Sequence, residues 1–337
     1  MNTQQQLQIT TTWLYSGLFL IALMVIIGGI TRLTNSGLSM VEWKLIGGSI
    51  PPLNNIQWQE TFEKYQQFPE YQKINTGMNL SEFKSIFFWE YLHRLLGRII
   101  GLVFIVPFLI FWNKKWFNFK QKKQLLILFA MGALQGFLGW FMVKSGLVDV
   151  PAVSHYRLAI HLITAFGLMC YIYWLVLSFN EVEKTPNNSI NKLSKWFIVA
   201  LTIQIIYGAF VAGLKAGYLL PKNSNLFEAI FGYTIKDNTD FSLLNNSFDI
   251  QAFHRLFAWV IFLISIIIYN KTRKTNLTKR GNIILFLVTT QIILGITTLT
   301  LKVPIHIAIT HQFIAILLLL SAVHLTYLSS KKSLSNV

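Results

Sequence analysis

The chain has 337 residues, of which 53% are hydrophobic and 12% are charged, and its mean hydropathy is +0.50. Soluble domains usually carry about 25% charged residues, so this composition excludes an ordinary soluble domain and indicates a polytopic membrane protein. The formal net charge of +16 invites a nucleic-acid-binding interpretation, which the distribution of the charges argues against. The single cysteine, Cys170, excludes an internal disulfide and a cysteine metal cluster.

Eight apolar stretches are long enough to span a bilayer, which takes about 20 apolar residues. They predict membrane helices over residues 12–31, 87–112, 124–143, 157–179, 196–214, 252–269, 282–301 and 305–328. The first ten residues have neither a basic nor an apolar segment typical of a targeting peptide, so we expect the first stretch to remain as an anchor.

The basic residues indicate the orientation of these helices. Fifteen of them lie in the second, fourth and sixth loops and after the last helix, against only Glu181 and Glu183 on the same side. Because basic residues concentrate on the cytoplasmic side, both termini are predicted to be cytoplasmic. The basic excess is therefore a topology signal, and no nucleic-acid partner is expected.

Four histidines lie at similar depth on the even-numbered helices. Each is about one or two helical turns from the predicted outer end, and they are His93, His161, His254 and His311. One such histidine alone would favour a hydrogen-bonded packing role, but four at one depth indicate ligands. Imidazole inside a membrane indicates a metal or haem site. The other histidines are assigned no ligand role: His155, His306 and His324.

The same motifs occur in the same order in both halves of the chain. His-Arg (93–94 and 254–255) is followed by Gln-x-x-Leu-Gly (135–139 and 291–295) and then by a further histidine. This order predicts an all-α fold of two tandem, pseudo-symmetric four-helix bundles, residues 1–180 and 181–337, in the same membrane orientation. Two inward-facing histidines in each bundle suit bis-imidazole haem ligation.

One position breaks the symmetry between the halves. Glu90 lies three residues before His93, on the same helix face, whereas Gln251 occupies the equivalent place before His254. A buried carboxylate can accept a proton or stabilise a developing positive charge, which a glutamine cannot do. The first half is thus predicted to perform chemistry and the second to hold a permanent cofactor. Alternatively, Glu90 only pairs with Arg94 or Arg98.

Arginines near the same helix ends are candidates for binding haem propionates, because carboxylates favour bidentate guanidinium partners. The candidates are Arg94, Arg98, Arg157 and Arg255. For Arg98, simple extension of the side chain to the membrane interface is an equal alternative.

Several of these segments resemble heme A synthase, the membrane enzyme that converts heme O to heme A. The most specific are residues 28–39 (GGITRLTNSGLS), 82–87 (EFK-x-IF), 90–94 (EYLHR) and 154–161 (SHYRLA-x-H). The second half is similar more loosely, through His254-Arg255 and His311-Gln312. The chain is closest to the mitochondrial and Gram-negative type, because residues 32–86 lack the cysteine pair of another branch.

This resemblance implies that His254 and His311 hold a haem b, and that His93 and His161 bind heme O. It implies an oxidoreductase in which Glu90 is the essential acid and a porphyrin methyl group is oxidised to a formyl group with oxygen from water. It also implies partners, namely heme O synthase (a farnesyltransferase), cytochrome oxidase assembly and an unidentified electron acceptor. Self-association into a homo-oligomer stays open.

Two other functions use the same histidines. A di-haem electron-transfer cytochrome would need no carboxylate, but its haems would normally lie at inner and outer depths, whereas these four histidines lie at one depth. A haem carrier or assembly factor would tolerate loss of Glu90.

Overall fold

The computed structural model describes residues 3–41, 50–146, 152–220, 226–231 and 241–331. The regular structure in these ranges is helical, and eight helices are long and apolar enough to cross a membrane. They are α1 (Thr3–Leu33), α4 (Leu80–Asn113), α5 (Phe119–Gly146), α6 (His155–Phe179), α7 (Asn188–Gly213), α9 (Ser247–Thr272), α10 (Thr278–Thr300) and α11 (Ile305–Ser329). At 1.5 Å per residue, even the shortest exceeds the roughly 30 Å hydrocarbon core. The predicted all-α polytopic fold with eight spans is confirmed.

Polar first turns make several helices longer than the apolar stretches that predicted them. α4 begins at Leu80, seven residues early, because Asn79 and Glu82 form a reciprocal capping box. α7 begins at Asn188, where the Asn187 side chain accepts a hydrogen bond from the backbone N–H of Ile190. Hydropathy alone does not detect such turns, since they contribute no apolar residue.

Short helices occupy the two long loops, which the sequence left without secondary structure. The first contains α2 (Asn55–Gln66) and α3 (Pro69–Lys73); the second contains a 3₁₀ helix (Ala216–Tyr218) and α8 (Leu226–Phe231). Residues 42–49, 221–225 and 232–240 of these loops lie outside the described part of the chain. Residues 215–251, between the fifth and sixth predicted spans, are therefore partly ordered as helix.

An aromatic cluster attaches the first loop to the start of α4. Phe62, Tyr65, Phe83 and Phe87 are buried together, and Trp58 contacts two of them edge-on. The Tyr65 hydroxyl donates to the Glu70 carboxylate at 3.0 Å and accepts from the Asn75 side chain at 2.7 Å. Burial is the main cause that raises the pKa of Tyr65 well above its ordinary value.

The chain forms two compact units. One contains Phe19–His161, and the other contains the residues before and after that range. Within the second unit, α7 packs on α9, α9 on α10, α10 on α11 and α11 on α7. These contacts close a four-helix ring.

Candidate functional site

Each of the four histidines packs its ring against a helical glycine. The Cε1 atoms of His93 and His161 lie 3.0 and 3.2 Å from where a Cβ would stand on Gly28 and Gly139. In the second half, the equivalent separations are 3.1 Å for His254 at Gly208 and 3.3 Å for His311 at Gly295.

These glycines lie on α1, α5, α7 and α10, which are the first, third, fifth and seventh of the eight membrane helices. Each histidine is on the membrane helix that follows. A side chain at any of the four positions would displace the ring, so the absence of a Cβ fixes how closely each imidazole approaches its neighbour.

A glutamine one helical turn before the glycine recurs at three of these four places. Gln135 and Gln204 donate through Nε2 to the backbone carbonyls of His161 and His254, at 3.0 and 2.9 Å. Gln291 holds the equivalent position in α10, and its backbone carbonyl lies beside the His311 ring. α1 departs from this pattern, because Met24 stands one turn before Gly28.

The two histidines of each half are brought together. His93 interacts electrostatically with His161, and His254 interacts electrostatically with His311. All four side chains are partly accessible although they lie well inside long apolar helices. Each half therefore offers a pair of reachable imidazoles, the donor set that a six-coordinate haem takes.

The second-half pair has features that fit a haem. The Nδ1 atoms of His254 and His311 are buried and have no hydrogen-bond partner among the described residues. The Nε2 atoms of the two rings are not in this condition. The backbone carbonyls of Gln204 and Gln291 lie beside these rings. An imidazole that binds iron through one nitrogen generally donates its other N–H to such a carbonyl.

No cluster of three or more metal-binding side chains occurs in the described ranges. A haem needs only two axial ligands from the protein.

Glu90 is held by three kinds of donor. Its side chain is buried, and Oε2 accepts from the Ser39 hydroxyl at 2.7 Å and from the Met40 backbone N–H at 2.8 Å. Arg94 donates to Oε1 at 2.5 Å and also to the Met40 carbonyl at 3.0 Å. The expected alternative, an ion pair of Glu90 with Arg94, is thus present, and it accompanies two further hydrogen bonds.

The turn after α1 brings Ser39 and Met40 to this carboxylate. Asn35 has a positive φ of 52°, in the left-handed region that asparagine tolerates, and the Ser36 N–H returns to the Thr31 carbonyl at 2.9 Å. Thr31 in turn donates to the Trp89 carbonyl on α4 at 3.3 Å. The motif at residues 28–39 is therefore the local structure that places donors opposite Glu90.

The second half repeats this turn with the opposite polarity. Lys215 has a positive φ of 53° after α7, and the following residue, Ala216, presents its carbonyl to the Gln251 side chain, which donates to it at 2.6 Å. Gln251, like Glu90, is buried. The buried carboxylate of this half, Asp249, accepts instead from the Ser242 N–H at 2.6 Å.

The candidate propionate-binding arginines contact protein groups near the same helix ends. Arg157 donates to the Phe141 carbonyl at 3.2 Å and lies over the Phe141 ring. Arg255 donates to the Glu228 carbonyl of α8 at 3.1 Å.

The three remaining histidines differ from one another. His155 lies against the Tyr156 ring, His306 accepts through its backbone carbonyl from the Thr310 hydroxyl, and Nδ1 of His324 is hydrogen-bonded to the Tyr173 hydroxyl at 2.6 Å.

Sequence patterns missed part of this arrangement. Gly208 and Gln204 were not singled out, although the spacing Gln-x-x-x-Gly on α5, α7 and α10 could have revealed them. Ser39 and Met40 have no sequence signal for a contact with Glu90, which lies 51 and 50 positions away.

This fold defines a multi-pass membrane protein with paired histidines inside its apolar helices. A family described as "Cytochrome oxidase assembly protein", COX15-CtaA, matches residues 11–323, and the chain belongs to this family.

Curated relatives named heme A synthase cover nearly the whole chain. The protein of Flavobacterium johnsoniae is 42% identical over 333 residues, covering 95% of this chain and 97% of the relative. That of Flavobacterium psychrophilum is 43% identical over 335 residues, with the same coverage. That of Nitrosospira multiformis is 41% identical over 325 residues, covering 92% and 90%. The resemblance to heme A synthase expected from the sequence is confirmed. It supports this function over those of an electron-transfer cytochrome or a haem carrier.

Proposed function

We propose that this chain oxidises a methyl group of heme O to the formyl group of heme A by successive hydroxylations, for use in cytochrome oxidase. The observation that carries this proposal is the buried carboxylate of Glu90, three residues before His93 and held by Ser39 and Met40. A haem-binding half without chemistry would not need such a carboxylate, and the second half has Gln251 there.

The two histidine pairs take different haems in this proposal. Residues 1–180 bind the substrate, heme O, through His93 and His161. Residues 181–337 hold a resident haem b through His254 and His311, which would supply a one-electron redox centre. The buried Nδ1 atoms and neighbouring carbonyls of the second pair support permanent ligation.

Glu90 acts on the methyl carbon and on water. The Ser39 hydroxyl and the Met40 N–H fix Oε2, while Arg94 contacts Oε1, so the carboxylate has a defined orientation. An oriented, buried carboxylate can stabilise positive charge on the carbon that loses electrons and can accept a proton from attacking water. Arg94, Arg157 and Arg255 bind propionates, replacing their present carbonyl contacts in part.

The membrane context completes the proposal. The protein lies in a bacterial inner membrane with both termini in the cytoplasm, and it receives heme O from the farnesyltransferase that makes it. The concentration of basic residues in alternate loops supports this orientation.

Pigment analysis tests the reaction. The full chain is expressed together with a heme O source in cells that lack their own heme A. The extracted haems are separated and identified by mass spectrometry. We expect formylated haem to appear only when this chain is present. A matched strain carrying His161→Ala should accumulate heme O.

Two results would contradict the proposal. Haem b as the only pigment bound, with heme O left unchanged, would favour an electron-transfer cytochrome. Bound heme O that is never oxidised, although both haem sites are filled, would favour a carrier.

A further inference from the structure

A cavity of about 460 Å³ lies between α6, α10 and α11, and none of the four paired histidines lines it. Its wall is mainly aliphatic and aromatic side chains of α10 and α11, and two of them, Phe286 and Leu317, are exposed on the helix surface. His324 lines it thirteen residues after His311 on α11, about 20 Å further along the helix.

A hydrogen-bonded pair of ionisable side chains forms the polar part of this cavity. Tyr173 on α6 and His324 on α11 meet through the hydroxyl and Nδ1 at 2.6 Å. His324 is only 8% exposed, and its Nε2 has no hydrogen-bond partner in the part of the chain that the structure describes. Ionisable side chains buried in membrane helices are energetically costly, so a functional role is the default interpretation of this pair. The proposed oxidation of heme O does not use it.

A third polar group stands near the pair. Arg280, at the start of α10, lines the cavity and interacts electrostatically with both Tyr173 and His324. Ser321 also lines the cavity, but its hydroxyl donates to the Leu317 carbonyl of its own helix at 2.8 Å. Three side chains therefore offer groups to a ligand, and the serine does not.

The chemistry of this lining favours a neutral, planar molecule with carbonyl oxygens and an apolar tail. When the Tyr173 hydroxyl donates to Nδ1, the Nε2–H of His324 is left as a single, directed donor. Such a donor suits a carbonyl acceptor, and the apolar wall suits a ring and an isoprenoid chain. A lipid phosphate would instead favour several cationic donors, and Arg280 is the one cationic side chain among the described residues that line the cavity.

From these contacts we infer that the cavity binds the headgroup of a membrane quinone, which accepts the electrons of the reaction. This inference rests on the proposed function. Converting a methyl group and one water to a formyl group releases four electrons and four protons. Two quinones balance them, because each takes up two electrons and two protons, and its two C=O groups become C–OH groups. The Nε2–H of His324 donates to one of these two carbonyls, and Tyr173 orients the imidazole through Nδ1.

Photolabelling of the purified full-length protein in detergent tests the site. The probe is an azido derivative of decylubiquinone, with excess unlabelled decylubiquinone or phosphatidylglycerol as competitor, followed by peptide mapping. We expect labelling of the segments around residues 283–287 and 317–324, prevented by decylubiquinone.

Conservative variants make the test specific. His324→Leu should weaken competition by decylubiquinone about two- to tenfold, the loss expected for a ligand hydrogen bond. Tyr173→Phe should weaken it in the same direction, because the imidazole loses the hydroxyl that orients it. Ser321→Ala lines the same cavity and should bind like the unmodified chain. Retention of the resident haem in all three variants shows that they are folded.

Several outcomes overturn the quinone site. They are labelling outside this cavity, displacement by phosphatidylglycerol but not by decylubiquinone, or equal binding by Tyr173→Phe, His324→Leu and Ser321→Ala. The proposed function fails separately: heme A formation together with mislocated label would contradict only the quinone site. Correct labelling without any heme A would contradict only the synthase.

Discussion

The two halves have the same histidine–glycine geometry but opposite polarity at one buried position. In the first half, a carboxylate at Glu90 faces the donors of Ser39 and Met40; in the second, the amide of Gln251 faces the Ala216 carbonyl. In each half, the facing groups follow a residue with a positive φ, Asn35 or Lys215, just after the preceding membrane helix. The comparison teaches that two regions with the same histidine–glycine packing differ in one buried group, a carboxylate against an amide. The proposed division between reaction and storage rests on this difference.

The largest expected effect comes from removing one histidine of each pair. His254→Ala should lose the resident haem, because a bis-imidazole site with one ligand left binds poorly. His93→Ala should keep that haem and lose heme A. Quantifying extracted haem per protein checks both. Loss of the same haem from both variants would show that the halves do not have separate roles.

Adding a methyl group beside a histidine ring should have the next largest effect on heme A yield. In Gly139→Ala, the new Cβ would stand 3.2 Å from His161 Cε1, and the ring must shift. Such overpacking typically costs about 1–3 kcal/mol, so we expect heme A yield to fall several-fold.

Gly136→Ala is the matched control on the same helix, since nothing lies within 4 Å of its Cβ position. It should leave the yield unchanged. Equal effects of the two substitutions would remove the argument that glycine positions the ligand.

The glutamine contacts should contribute less. Gln135→Leu and Gln204→Leu each remove one hydrogen bond to a histidine carbonyl, worth about 1 kcal/mol. Thermal unfolding followed by haem absorbance should show a small loss of stability in both. Because Gln135 Nε2 also lies 3.2 and 3.3 Å from the two ring nitrogens of His161, only its substitution should change substrate binding. Identical heme O affinity in both variants would contradict this difference.

The smallest expected effect is confined to the first loop. The raised pKa of buried Tyr65 means that the folded loop favours the protonated hydroxyl. Its stabilisation is complete below the ordinary tyrosine pKa of about 10 and decreases as pH rises above it. Limited proteolysis of the loop should therefore increase above that pH in the unmodified chain. Tyr65→Phe should lack this pH-dependent component, and an unchanged profile would contradict the assignment.

The sequence predicts the membrane helices and the histidine pairs because hydropathy and helical spacing act over short distances. Their exact starts were missed where polar caps such as Asn79 and Asn187 add a turn. Of the partners of Glu90, Arg94 could be predicted because it lies one helical turn away. Ser39 and Met40 could not, because they reach Glu90 through a long loop without periodic pattern. The same applies to Tyr173 and His324, which lie 151 residues apart.

The role of Glu90 is the central claim, and a reciprocal exchange measures it most directly. Heme A yield and bound haem are determined for Glu90→Gln and Gln251→Glu in the same expression system. We predict that Glu90→Gln retains its haem and forms heme A about 10²–10⁴-fold more slowly, the usual contribution of a positioned acid or base. Gln251→Glu should weaken haem retention without a comparable loss of rate per bound haem. Full activity of Glu90→Gln with unchanged haem content would contradict the account.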